Sequence, residues 1–155
     1  MIRKILGLPV VVAIVLLAWG QVQSDLSLTR SGASLQEAPT EFLMQTGTPV
    51  QIPNFVQPDA GCSWTGVGGQ VFNQGGEPVT GIVIRVTGSL NGSAIDAFAV
   101  SGGSIKFGAG GYEIELARSA VASKNTLYMQ LIDLGGAPRS PLLALETSAD
   151  CSANL

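Results

Sequence analysis

The chain contains no histidine. That removes the commonest general base, the commonest metal ligand, and every Ser-His or Cys-His arrangement. Charge is scarce as well: Asp, Glu, Lys and Arg make up 12% of the residues, against about a quarter in ordinary soluble domains. The net charge of -3 leaves no basic footprint, so a nucleic-acid partner is not expected. Aromatics are few, at 6%, and there are two cysteines, with no C-x-x-C spacing. No G-x-S-x-G elbow occurs; Gly61-Cys62-Ser63-Trp64-Thr65 comes near it without a base. Gly66-Val67-Gly68-Gly69 is followed by no Gly-Lys-Ser/Thr and opens no helix, so it is not a phosphate loop. Asp96, Asp133 and Asp150 are too scattered to lay out a calcium loop. The expectation is a non-enzyme with no catalytic residues, no metal and no cofactor.

What is abundant is glycine, at 20 residues, within 155 residues that allow one domain plus extensions. The first segment carries Arg3 and Lys4, then an apolar run over 5–18, then the small-residue site Ala18-Trp19-Gly20. This is the secretory signal pattern, with cleavage expected after Gly20 or after Ser24. The alternative is an uncleaved membrane anchor over 5–18. Its apolar run is short of the roughly 20 residues a spanning helix needs, and Pro9 interrupts it. No cysteine lies near either cleavage point, so a lipoprotein anchor has no attachment site. Residues 21–60 mix Ser, Thr, Gln, Gly and Pro without periodicity, the composition of a linker. Asn54-Phe55-Val56, between two prolines, is the part suited to lying along a sheet edge.

From Gly61 the pattern changes to short alternating runs separated by turn residues. The stretch Gly66 to Gly88 reads as strand, turn, strand, and as the hairpin on which the rest packs. Asn73-Gln74-Gly75-Gly76-Glu77-Pro78 supplies the turn, since Asn and Gly tolerate positive φ and Pro fixes it. Ile82, Ile84 and Val86 point one way; Val83, Arg85 and Thr87 point the other. Asn91-Gly92 is a hairpin-turn dipeptide before a third strand over 94–100, where Phe98 and Val100 compete with Ile95 and Ala97 for the inward face. Residues 105–107 and 112–117 read as two more strands joined by a glycine turn, with Tyr112, Ile114 and Leu116 inward. Residues 126–134 and 142–147 complete the series. Short strands at such intervals predict a single antiparallel β-sandwich of about seven strands over 61–155, all-β and prealbumin- or Ig-like.

The segment Gly69-x-Val71, Asn73, Gly76-x-Pro78-Val79-x-Gly81-x-x-Ile84-x-Val86 resembles the opening of a carboxypeptidase regulatory-like (transthyretin-like) β-sandwich. Gly108-Ala109-Gly110-Gly111-Tyr112-Glu113-Ile114-Glu115-Leu116 is similar to a later strand of that family. The resemblance covers residues 61–155. It implies an accessory, surface or linker module rather than a catalyst. In similar sandwiches a last apolar strand often follows the point reached at Cys151, so the expectation near Leu155 is either a chain cut short of that strand or an open edge.

With an export signal present, Cys62 and Cys151 read as one disulfide, and the location as secreted, extracellular or cell envelope. Glu113 and Glu115 share one strand face roughly 6.5–7 Å apart, comparable to a glycosidase pair but also to any solvated surface. Trp64 and Tyr128 are the candidates for stacking on a sugar ring, against the plainer reading in which Trp64 packs on the disulfide. Asn91-Gly92-Ser93 forms a glycosylation sequon. The functional expectation is a structural or interaction module with a protein or polysaccharide partner. A carbohydrate-binding accessory domain is the alternative, and a hydrolase using an unrecognised carboxylate site is the weaker one.

Overall fold

The computed structural model describes residues 41–155. The leader expected over 1–20, its second cleavage point at Ser24, the possible anchor over 5–18 and the linker over 21–40 lie outside the described residues.

The described residues form an all-β body of two antiparallel sheets. Six strands build them: β1 (Thr65–Gln70), β2 (Val83–Leu90), β3 (Ser93–Val100), β4 (Gly111–Ala117), β5 (Ser123–Ile132) and β6 (Leu143–Thr147). One sheet pairs β1 with β4; the other runs β3-β2-β5-β6. The helical content is two short 3-10 turns, at Pro58–Ala60 and Ile105–Phe107.

Alternation decides which face each strand buries. On β2, Ile84 and Val86 are fully buried while Arg85 is exposed. On β4, Tyr112, Ile114 and Leu116 are buried, as their period-two spacing predicts. Leu127 and Met129 of β5 and Leu145 of β6 complete one hydrophobic core fed by both sheets. On β3 the competition resolves in favour of Ile95, Ala97 and Ala99, which are half-buried; Phe98 and Val100 face out. Asn91 and Gly92, at φ 50° and 77°, form the tight turn between β2 and β3, where both central residues need positive φ.

Five expectations are corrected. The strands of the Gly66–Gly88 stretch do not pair with each other. β1 pairs with β4, and β2 with β3 and β5. The turn glycines and Pro78 carry the chain from one sheet to the other, leaving one isolated bridge between Phe72 and Pro78. Pairing β1 to β4 lets both sheets turn their apolar faces to the same core, which a flat hairpin cannot do. Residues 105–107 form a 3-10 turn rather than a strand: the glycines on either side let the chain curl, and Gly111 N–H donates to Gly108 O. The strand count is therefore six and not about seven.

Nor do residues 41–60 behave as a free spacer. Phe42 and Val56 are buried at 8% and 2% exposure, and the N–H groups of Glu41 and Phe42 donate to Arg139 O. Asn54 Oδ1 accepts from the N–H of Val56 and Gln57, folding the chain tightly between its prolines. Phe55 meets Phe107 edge to face at 5.1 Å. Ile52 exchanges both main-chain bonds with Leu155, so the strap and the tail lie together. Where an open edge was expected near Leu155, the tail is paired.

Candidate interaction surface

The cysteines meet as predicted. Cys62 and Cys151 are disulfide-bonded with Cα atoms 4.7 Å apart. The bridge joins the turn before β1 to the tail after β6. Asn154, buried at 2% exposure, reinforces it: Nδ2 donates to Gly61 O at 2.8 Å and to Trp64 O at 2.9 Å.

Trp64 is 1% exposed, so its ring offers no face to a sugar. Tyr128 is half-buried on the outward side of β5, its hydroxyl donating to Asn125 O at 3.2 Å. The two proposed stacking residues do not share a surface. Tyr112 is buried, and burial pushes its phenol above the ordinary range.

The carboxylates do not converge. Glu113 accepts from Gln57 Nε2 at 3.0 Å, whereas Glu115 pairs with Arg118 at 3.4 Å. Asp133 caps its own turn, accepting from the N–H of Gly135 and Ala137. Asp150 accepts from the N–H and hydroxyl of Ser152, which together hold its carboxyl below the usual range. Among the described residues no three acidic or cysteine side chains gather as a metal site. Asn91-Gly92-Ser93 is exposed at the tip of the β2–β3 hairpin.

Two open hollows mark the surface of the described residues. One, of about 280 Å³, lies between Glu41-Phe42 and Asn73–Gly75. The other, of about 480 Å³, runs along Gln51, Lys124 and Glu146.

The outward face of the four-stranded sheet is better built. Register places Val100, Val83 and Ile132 in one row across three strands. Phe98, Arg85 and Gln130 form the next, and Asp96, Thr87 and Tyr128 the one after. Arg85 reaches diagonally to Asp96 as a fork, Nε to Oδ1 and Nη2 to Oδ2, both at 2.8 Å. The hydrogen bond with Arg85 holds the Asp96 carboxyl below its usual range, and the same contact raises the Arg85 guanidinium. Phe98, 70% exposed, stands beside this pair. Phe98 and Tyr128 lie about 12 Å apart by strand spacing and rise, on one face of the sheet.

Sequence reasoning had Arg85 on the outward face and Phe98 undecided. It missed the Arg85–Asp96 fork, because a diagonal contact depends on the β2–β3 register. The Asn91-Gly92 turn, read as a two-residue hairpin, was a signal from which that register follows.

No family model matches this chain, and neither a curated protein nor a solved structure matches it.

Proposed function

We propose that this chain is an exported, non-catalytic β-sandwich that acts by binding, through the outward face of its four-stranded sheet. The observation that carries the reading is that face itself. It is one face of a continuous hydrogen-bonded sheet on which an exposed Phe98, a half-exposed Tyr128 and a forked Arg85–Asp96 pair stand together. Aromatic anchors beside guanidinium are the composition of interaction surfaces. The Cys62–Cys151 bridge favours an oxidising compartment, and hence export to the envelope or beyond. The resemblance to carboxypeptidase regulatory-like modules is part of this proposal and rests on the glycine and proline spacing alone.

Carbohydrate binding is the second reading, now through Phe98 and Tyr128 rather than Trp64. One experiment addresses both. The purified protein is co-sedimented with the envelope fraction of its host and, separately, with insoluble polysaccharide. The binding reading expects envelope retention that falls several-fold in Phe98→Ala and Arg85→Ala. Polysaccharide retention that depends on Tyr128 would favour the carbohydrate reading. Wild type and variants all remaining in the supernatant would remove both. Intact mass of the exported product tests cleavage after Gly20 or Ser24.

A further inference from the structure

The tail after β6 enters a slot with two rims. Cys151 is bonded to Cys62, Asn154 reaches Gly61 O and Trp64 O, and Gly66 N–H donates to Asn154 O. The tail therefore advances alongside β1 in the same direction. On its other side, Leu155 exchanges both main-chain bonds with Ile52 of the strap. A single extended chain separates β1 from the strap there, so the rims stand about 10 Å apart, two strand spacings.

Past Leu155 both rims run on with their hydrogen-bonding groups unused. Along an antiparallel pair, successive residues direct their main-chain groups to opposite edges. Gly66 N–H faces the tail and Val71 N–H donates to Gly110 O of the β4 side. With the β1–β4 register, Val67 and Gly69 then address β4, while Gly68 and Gln70 address the slot. Among the described residues, the N–H and C=O groups of Gly68 and Gln70 have no hydrogen-bond partner. The same alternation, counted back from Ile52, turns Val50 N–H and C=O into the slot, and these too are unpaired. Pro49 and Pro53, which have no N–H to give, fall at the positions facing away. The rims meet again at the hollow between Phe42 and Asn73–Gly75. From Gly66 to Asn73 the run is roughly 23 Å, room for about seven extended residues.

We propose that this slot takes an extended segment of a partner polypeptide, uncharged and apolar at alternate positions. The segment adds to the edge of β1, parallel to it and in line with Ala153–Leu155. A strand is the occupant because Asn154 and Leu155 already fill the near end in that manner, bonded to both rims. The free groups of Gly68, Gln70 and Val50 repeat at strand spacing and continue that pairing. The walls set the side-chain chemistry. Leu43–Ile52 and Thr65–Asn73 hold no charged residue. Val67 and Phe42 pack with the core, while Val50 and Phe72 are exposed beside the slot. A charged segment would lose solvation there with nothing to pair it. The proposal concerns the edge of β1 and not the outward face of the four-stranded sheet, so it stands whether or not that face binds anything.

The test uses the full chain with its disulfide intact. The probe is a capped synthetic peptide of alternating valine and threonine, about seven residues long. Binding is followed by fluorescence anisotropy of the labelled peptide at about 1 to 100 µM protein, and its place by amide hydrogen exchange. The expected result is saturable binding that slows exchange at Val50, Gly68 and Gln70 by roughly tenfold or more and leaves β3 unchanged. The same peptide methylated at alternate amide nitrogens loses its donors to one rim and binds at least about tenfold more weakly. Val50→Pro deletes a rim donor that has no partner in the fold, so the variant keeps its structure, which circular dichroism checks, and binds the peptide several-fold more weakly. Absence of saturable binding across the range overturns the proposal. So does binding indifferent to both N-methylation and Val50→Pro. Slow exchange at those amides in the protein alone overturns it too, since this chain or a second copy of it would then fill the slot.

Discussion

Replacing both cysteines by serine tests how the clasp works. Cys62 and Cys151 are 89 residues apart, so the bridge closes nearly the whole described body into one loop. The loop-entropy relation puts its effect at roughly 4.6 kcal/mol at room temperature, through restriction of the unfolded chain. The native state loses little else. Asn154 still donates to Gly61 O and Trp64 O, and Leu155 still pairs with Ile52. Real denatured chains are more compact than the model chain, so a loss of about 2–4 kcal/mol is expected. The assay is equilibrium urea denaturation followed by the fluorescence of Trp64, which passes from 1% exposure to full exposure. With a slope of about 1–3 kcal/mol per molar, the midpoint falls by roughly 1–2 M. The slope itself rises, because the unlinked chain exposes more surface when unfolded. A midpoint shift below about 0.3 M with an unchanged slope would refute the reasoning, since the bridge would then restrict nothing the unfolded chain explores.

Gly88→Ala is expected to be among the most damaging single changes. The residue sits at φ +132°, and a Cβ there would lie 2.0 Å from the backbone oxygen of Thr126, so β2 and β5 must part; loss of the folded fraction on thermal melting checks it. Asn154→Ala removes two main-chain acceptors' partner from a buried site and should cost about 2–3 kcal/mol in urea denaturation, while its uncapped Oδ1 contributes nothing to lose. Tyr112→Phe should change stability at neutral pH by less than about 1 kcal/mol, because the hydroxyl's partner is Met129 Sδ at 3.8 Å. The same variant alters the alkaline limb. The folded phenol titrates above the unfolded one, so stability is full below about pH 10 and falls as pH rises through the folded value; Tyr112→Phe removes that fall, measured by urea midpoints at increasing pH.

Strand content and facing were legible wherever local chemistry decided them. β4 alternates Tyr112, Ile114 and Leu116 against Glu113 and Glu115, and it folds that way because only one face can be dry. Asn91-Gly92 announced its hairpin because both turn positions need positive φ. The pairing of the cysteines followed from their placement and from the leader the sequence led one to expect. Partnership between strands was not legible. Nothing local distinguishes a turn that joins neighbours from one that crosses between sheets, so β1 and β2 read as a hairpin although each pairs elsewhere. The strap over 41–60 was obscured by its composition. Its anchors, Phe42 and Val56, are isolated apolar residues among polar ones, with no period to reveal that they are buried. The candidate surface was half visible: Arg85 announced an outward face, but the choice for Phe98 depended on the size of the inward space, which Ala97 and Ala99 fill.

The position of the sulfur bridge also governs how the body bears tension. A pull applied ahead of Cys62 and behind Cys151 passes directly between Cα atoms 4.7 Å apart. Every strand lies on the bypassed side of that link. Stretching would peel the strap and the last few residues and then stop at a covalent limit, leaving both sheets unloaded. Reduced, the same chain would transmit the pull through its hydrogen-bonded ladders and extend strand by strand.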